Sequence, residues 1–152
     1  MSHHRFLPII GLLISLSSLI SCSSFQKEWR TAVATQTESP STDLQGPWEG
    51  EWISEASGHR GALRCVVSQN ASKPGHYDFH YWAKWSFFSG DFEALYPVKP
   101  DGEDRWTFHG DTDLGKLGGV YSHQGHATST QFHADYTSTK NDRGTFSMRR
   151  PQ

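Results

Sequence analysis

The chain has 152 residues and nine histidines, all but His3 and His4 lying after residue 45, so metal ligation is the first chemistry to weigh. Zinc needs three or four imidazole, thiolate or carboxylate donors converging on one point. On extended backbone His76 and His80 share a face but stand about 13 Å apart, at ~3.3 Å per residue. They cannot chelate one ion. His123 and His126 fall on opposite faces of a strand, and His133 shares an outward face with Asp135. A cross-strand set of His109, His126 and His133 is the arrangement left open, against solvated outer-face histidines. Asp111, Asp113 and the Gly115 backbone are oxygen-rich, yet the spaced ligands and terminal Glu of an EF-hand are missing. That segment reads as a lid.

Nucleophilic and metalloprotease chemistry find no support, because neither a Gly-x-Ser-x-Gly elbow nor a His-Glu-x-x-His pair occurs. Cys65 sits within Ala-Leu-Arg-Cys-Val-Val, where a small buried thiol fits better than a reactive one. No catalytic residue, metal or cofactor is assigned. Arg64 is the charged residue that stands out. Its face is shared with Ala62 and Val66, which would point it into a core, where a guanidinium needs a partner. A ligand carboxylate would make it functional; Glu49, Glu51 or a neighbouring carbonyl would make it structural.

These side chains need a framework, and from Gly46 onward the apolar period is two. Trp48, Gly50 and Trp52 alternate with Glu49, Glu51 and Ile53. A second strand runs from about Gly61 to Gln69. Tyr77, Phe79, Tyr81, Ala83 and Trp85 share the face of a third, and Phe92, Ala94, Tyr96 and Val98 that of a fourth. Trp106 and Phe108, then Tyr121, Gly125 and Ala127, then Phe132, Ala134 and Tyr136, then Phe146 and Met148 supply four more. Turn residues such as Asn70–Gly75, Pro100-Asp101-Gly102 and Asn141–Gly144 separate them. Eight strands in sequence predict an all-β domain over residues 46–152, an eight-stranded antiparallel up-and-down barrel, since closure removes sheet edges and this size admits packed side chains or one small ligand.

The N-terminus has a different composition. Met1–Arg5 is short and cationic, and Phe6–Ile20 is an apolar run too short to span a bilayer, which together make a secretory signal over residues 1–21. Leu19-Ile20-Ser21-Cys22 resembles the lipobox of bacterial lipoproteins, which implies that Cys22 is acylated and becomes the mature N-terminus, anchoring the exported chain to a lipid bilayer. Ser23 rather than Asp after the cysteine implies the outer membrane where the cell has one. With Cys22 lipidated, Cys65 has no intramolecular disulfide partner. Residues 22–45, rich in Ser, Thr and Gln, read as a flexible tether; the i, i+4, i+8 spacing of Phe25, Trp29 and Val33 leaves a short amphipathic turn as the alternative. Removing residues 1–21 takes Arg5 from the 14 basic side chains and none of the 16 acidic ones, leaving a formal charge of about −3. That is no field for nucleic acid.

Gly46-Pro47-Trp48 and Gly50-Glu51-Trp52 at the first strand resemble the Gly-x-Trp signature of the lipocalin and fatty-acid-binding superfamily. The resemblance implies a tryptophan plugging the closed end of the barrel with a basic residue from the last strand, Arg149 or Arg150, packed over it. The wider pattern, Gly58-His59-x-Gly61-x-Leu63-Arg64-Cys65 and Gly144-Thr145-Phe146, is similar to a family of uncharacterised bacterial lipoproteins and implies a location and a fold without an activity.

Two functions follow. In one, Trp48, Trp52, Arg64, Tyr77, Phe79, Tyr81, Trp85 and Tyr136 line a cavity for a small apolar or amphipathic ligand. In the other, the same aromatics fill the barrel, and function lies on loops or outward residues such as Trp82. The free interior volume separates them, because ligand pockets start at roughly 300 Å³. Oligomeric state is left open by the sequence.

Overall fold

Strand alternation puts one large apolar side chain inward at every second residue, and eight such strands close on themselves. The computed structural model describes residues 20–152, with side chains from Ser24 onward except Leu117. The signal-peptide reading falls almost wholly outside those residues, and so does the Cys22 side chain. The strands are β1 (Gly46–Ser54), β2 (Arg60–Gln69), β3 (His76–Trp85), β4 (Phe88–Pro100), β5 (Trp106–Asp113), β6 (Val120–Ala127), β7 (Gln131–Ser138) and β8 (Arg143–Arg149). Each pairs antiparallel with the next, and β1 pairs with β8 to complete a closed up-and-down barrel.

One end, the mouth, carries the β1–β2, β3–β4, β5–β6 and β7–β8 connections; the other is closed by Trp48 and the segment leading into β1. The interior is apolar and continuous from Leu44 and Trp48 through Phe79, Tyr81 and Phe146 to Trp52. Glu49, Glu51 and Arg149 are on the outside, the inverse of a membrane-spanning barrel, whose apolar band faces outward. Among the described residues no helix is long and apolar enough to cross a membrane. Gly50 marks where β1 bends tightly against β8: a Cβ there would lie 2.0 Å from the Ser147 carbonyl oxygen. Glycine at such a strand position permits the close backbone approach that curvature requires.

Two expectations need correction. Residues 22–45 are not an open tether, since Ile20–Glu38 forms a 19-residue helix, α1, packed across the outer faces of β2 and β3. Phe25 is wholly buried and Trp29 nearly so, in a second apolar cluster with Val66 and, at its margin, Ala32, Val33 and Trp82. The amphipathic stripe thus finds a sheet. Ser39 follows the helix and Pro40 prevents its continuation. A flexible linker would have left Phe25, Trp29 and Val66 in water, and burying each is worth about 1.5 to 3 kcal/mol.

The second correction is Arg64. Leu63, Cys65 and Val67 take the inward positions of β2, so Arg64 faces out. Its guanidinium lies 4.9 Å from the Trp29 ring centroid and 5.6 Å from that of Trp82. The misleading residue is Val66, an outward valine that is apolar because α1 covers it. Trp82 is likewise outward but stacked against Phe25 at 6.5 Å, so it is no open docking surface.

Candidate functional site: the aromatic interior and the mouth

At the closed end Trp48 is fully buried, and its indole N–H donates to the Leu44 carbonyl at 2.9 Å. Arg150, one residue past β8, lays its guanidinium 3.7 Å over the Trp48 ring. It is held there by donating to the backbone carbonyls of Ser129 (3.0 Å), Pro47 (3.2 Å) and Asp43. Burial pulls the guanidinium pKa down to about 10, against the attraction of Asp43, so it stays a cation at neutral pH and the contact is a cation–π pair. This is the tryptophan–cation plug that the Gly-x-Trp resemblance implies, with Arg150 rather than Arg149 supplying the charge.

Above the plug the barrel is filled. Phe79 packs against Tyr96 at 5.0 Å and Phe108 at 4.9 Å, and Phe108 against Phe132 at 5.2 Å. Tyr81 stacks on Phe92 at 4.9 Å and meets Phe146 at 5.5 Å. Of the residues expected to line a ligand cavity, Trp48, Trp52, Phe79, Tyr81 and Tyr136 are core, Tyr77 and Trp85 are half-buried at its two ends, and Arg64 is outside. Cys65 is also core, its thiol pushed well up by burial and so protonated.

Among the described residues three polar side chains, Ser54, Thr112 and His123, are buried, and strand alternation does not explain the burial of a histidine. His123 is 3% exposed. Its Nδ1 lies 2.8 Å from the Tyr96 hydroxyl, which in turn lies 2.9 Å from the Thr112 hydroxyl. Burial drives its pKa from 6.5 down to about 4 despite the opposing pull of Asp111, so the imidazole is neutral. Thr112 donating to Tyr96 and Tyr96 donating to Nδ1 satisfies that chain and puts the ring proton on Nε2. Nε2 and the Tyr81 hydroxyl have no protein partner. The signal was available in the register, because His123 shares its face with Tyr121, Gly125 and Ala127.

His123 borders the interior void, which also touches Trp52, Trp85, Tyr121, Tyr136 and Asp142 at the mouth and measures about 60 Å³. That suffices for a few waters and falls far below the roughly 300 Å³ where ligand pockets begin. Leu114, just before the one-turn helix α2 (Gly115–Gly118), also lines it, so the Gly-rich loop closes over the mouth. Asp113 accepts a hydrogen bond from the Gly115 amide at 2.8 Å, an internal turn contact. Larger hollows are external: one of about 700 Å³ is an open groove along the outer face of β1 and β6–β8, bordered by Glu49, Glu51, His126 and His133.

The histidines separate by register. His126 and His133 are cross-strand partners with ring centroids 5.8 Å apart, whereas His109 pairs with Gln124. Among the described residues no three His, Cys, Asp or Glu side chains group to hold a metal. His80 instead clamps α1 to the barrel, with Nδ1 2.6 Å from Glu28 and Nε2 2.8 Å from Asp91. Burial opposes its charge, but hydrogen bonds to Asp91 and Glu28 outweigh that and raise its pKa.

The class defined by this geometry is a closed eight-stranded antiparallel barrel with an aromatic core. Among solved structures the chain is similar to a redesigned beta barrel, b11L5F_LGL, with TM-score 0.51 and 18% identity over 72% of this chain and 92% of that one. That likeness is one of fold. No family model matches the chain, and no curated protein does.

Proposed function

We propose that the protein is a lipoprotein, held at a membrane by acylated Cys22, whose barrel is a solid body acting through its surface and not a carrier of apolar ligands. The anchoring half rests on the apolar leader and the Leu19-Ile20-Ser21-Cys22 lipobox. The observation that carries the other half is the interior: aromatic rings occupy it and leave about 60 Å³. A fatty-acid chain would have to displace several of those rings from a packed core, and cores resist even single-methylene insertion by about 1 to 3 kcal/mol.

The outer membrane is the expected location in a diderm cell, from Ser23. The test of the packed barrel is titration of the mature protein with a fluorescent polyene fatty acid, followed by energy transfer from tryptophan. A flat titration up to micromolar probe is the expected result. Saturable one-to-one binding that weakens in Tyr81→Ala would restore the carrier reading.

A further inference from the structure

We infer that the mouth end of the barrel lies against the lipid bilayer, with the β3–β4 hairpin tip, Phe87 and Phe88, inserted into its interfacial region. The inference rests on the anchoring reading above and adds to it an orientation and a second point of membrane contact.

The direction of α1 sets the orientation. Phe25 meets His80 and Trp82 of β3 (ring centroids 4.9 and 6.5 Å), Trp29 meets Arg64, and the Gln36 side chain reaches Ser41 beside the start of β1. The helix therefore runs from the hairpin side of the barrel toward the closed end, and its N-terminus points to the mouth. Cys22 is in the same helix, three residues before Phe25. Three residues of α-helix rise only about 4.5 Å. An anchor there leaves no slack: the barrel must sit at the bilayer surface with its mouth side down.

The hairpin tip then reaches further than the anchor. From Trp82 to Phe87 is roughly 16 Å of extended chain, or about 12 Å along the axis of a barrel whose strands tilt by some 40°. The tip thus stands about 8 Å beyond the Cys22 backbone, within the 5 to 10 Å depth at which interfacial apolar groups sit. Phe87 is 93% and Phe88 57% exposed, and they stack edge to face at 5.7 Å at the tip of the hairpin. The tight turn does not require them. Ser86 supplies its left-handed residue (φ 51°), and polar residues ordinarily fill such turns.

Charge agrees with an anionic lipid surface. The mouth segments 55–60, 84–87, 113–119 and 139–143 carry Arg60, Lys84, Lys116, Lys140 and Arg143 against three acids, while the opposite loops 39–45, 70–75, 99–105 and 128–130 carry three cations against four. Basic residues near an anionic leaflet are attracted to it.

The experiment uses the mature, membrane-extracted full chain reconstituted into phosphatidylcholine–phosphatidylglycerol vesicles, labelled with the fluorophore NBD at F87C or, as control, at K73C in the opposite loop. Cys65 is wholly buried and does not compete for label. Flotation reports attachment, and quenching by doxyl-labelled lipids reports depth. The expected result is flotation of both variants, with NBD at position 87 blue-shifted and losing most of its emission, and NBD at 73 unchanged. Flotation with position 87 as unquenched as position 73 would overturn the orientation and leave the anchor standing. Failure of either variant to float would overturn the anchoring reading and the inference with it.

Discussion

His123 and His80 give the protein opposite dependences on pH, one inside the barrel and one under the helix. The folded-state pKa of His123 is depressed to about 4 from 6.5, so the unfolded chain takes the proton first. Its contribution is fully present above pH 6.5 and is lost as pH falls toward 4. The size is about 3 kcal/mol from ~1.4 kcal/mol per pKa unit. The folded-state pKa of His80 is raised, so its contribution is present below 6.5 and lost as pH rises through the folded value. Urea unfolding from pH 4 to 9 should show His123→Gln flattening the acid side relative to wild type, and Glu28→Gln flattening the alkaline side. Parallel curves for wild type and His123→Gln below pH 6.5 would show that His123 is protonated in the fold. At this scale the sequence is partly legible. Trp48, Trp52, Phe79 and Tyr81 are apolar at inward positions and can be placed from alternation alone. His123 obeys the same alternation but is polar, and only the Tyr96 and Thr112 hydroxyls, brought close by sheet closure, explain its burial.

At the scale of elements the strands and α1 differ in how far local pattern reveals them. Each strand carries its own period of two, and most of the turns between them carry Gly, Asn, Asp or Pro, the β3–β4 and β6–β7 turns being the exceptions, so the eight-strand order can be read before any contact is known. The helix has a stripe at Phe25, Trp29 and Val33 in an otherwise polar segment, and an isolated segment of that kind is marginal in water. What makes it a helix in this protein is the outer face of β2 and β3, where Val66 and Trp82 wait for cover. The same missing contact misplaces Arg64, because a covered outer face resembles an inner one. Phe25→Ala should therefore cost about 3 kcal/mol in denaturant unfolding, as for other buried aromatics, and should raise amide exchange along α1 while leaving the strands protected. Uniform loss of protection throughout the barrel would mean that α1 and the sheet unfold as one unit.

The whole molecule joins a packed barrel, a helix bound along its side and a cysteine at the start of that helix. The proposal against a carrier rests on the interior, where closure of eight strands brings Trp52, Phe79, Tyr81, Tyr96, Phe108, Phe132 and Phe146 together. Neither packing density nor void volume is visible in a one-dimensional pattern, which is why the aromatic richness of the sequence fits both a lined and a filled barrel. The docked helix bears on the proposed anchor as well, since a loose tether would let an anchored barrel sample the space above a membrane and a helix held from Phe25 onward would not. The proposed anchoring and orientation depend on Cys22. Mass spectrometry of the N-terminal peptide from the membrane fraction tests it most directly. The account predicts a mature chain beginning at Cys22 and carrying acyl chains; a mature protein with an intact, unmodified Cys22 thiol would contradict it.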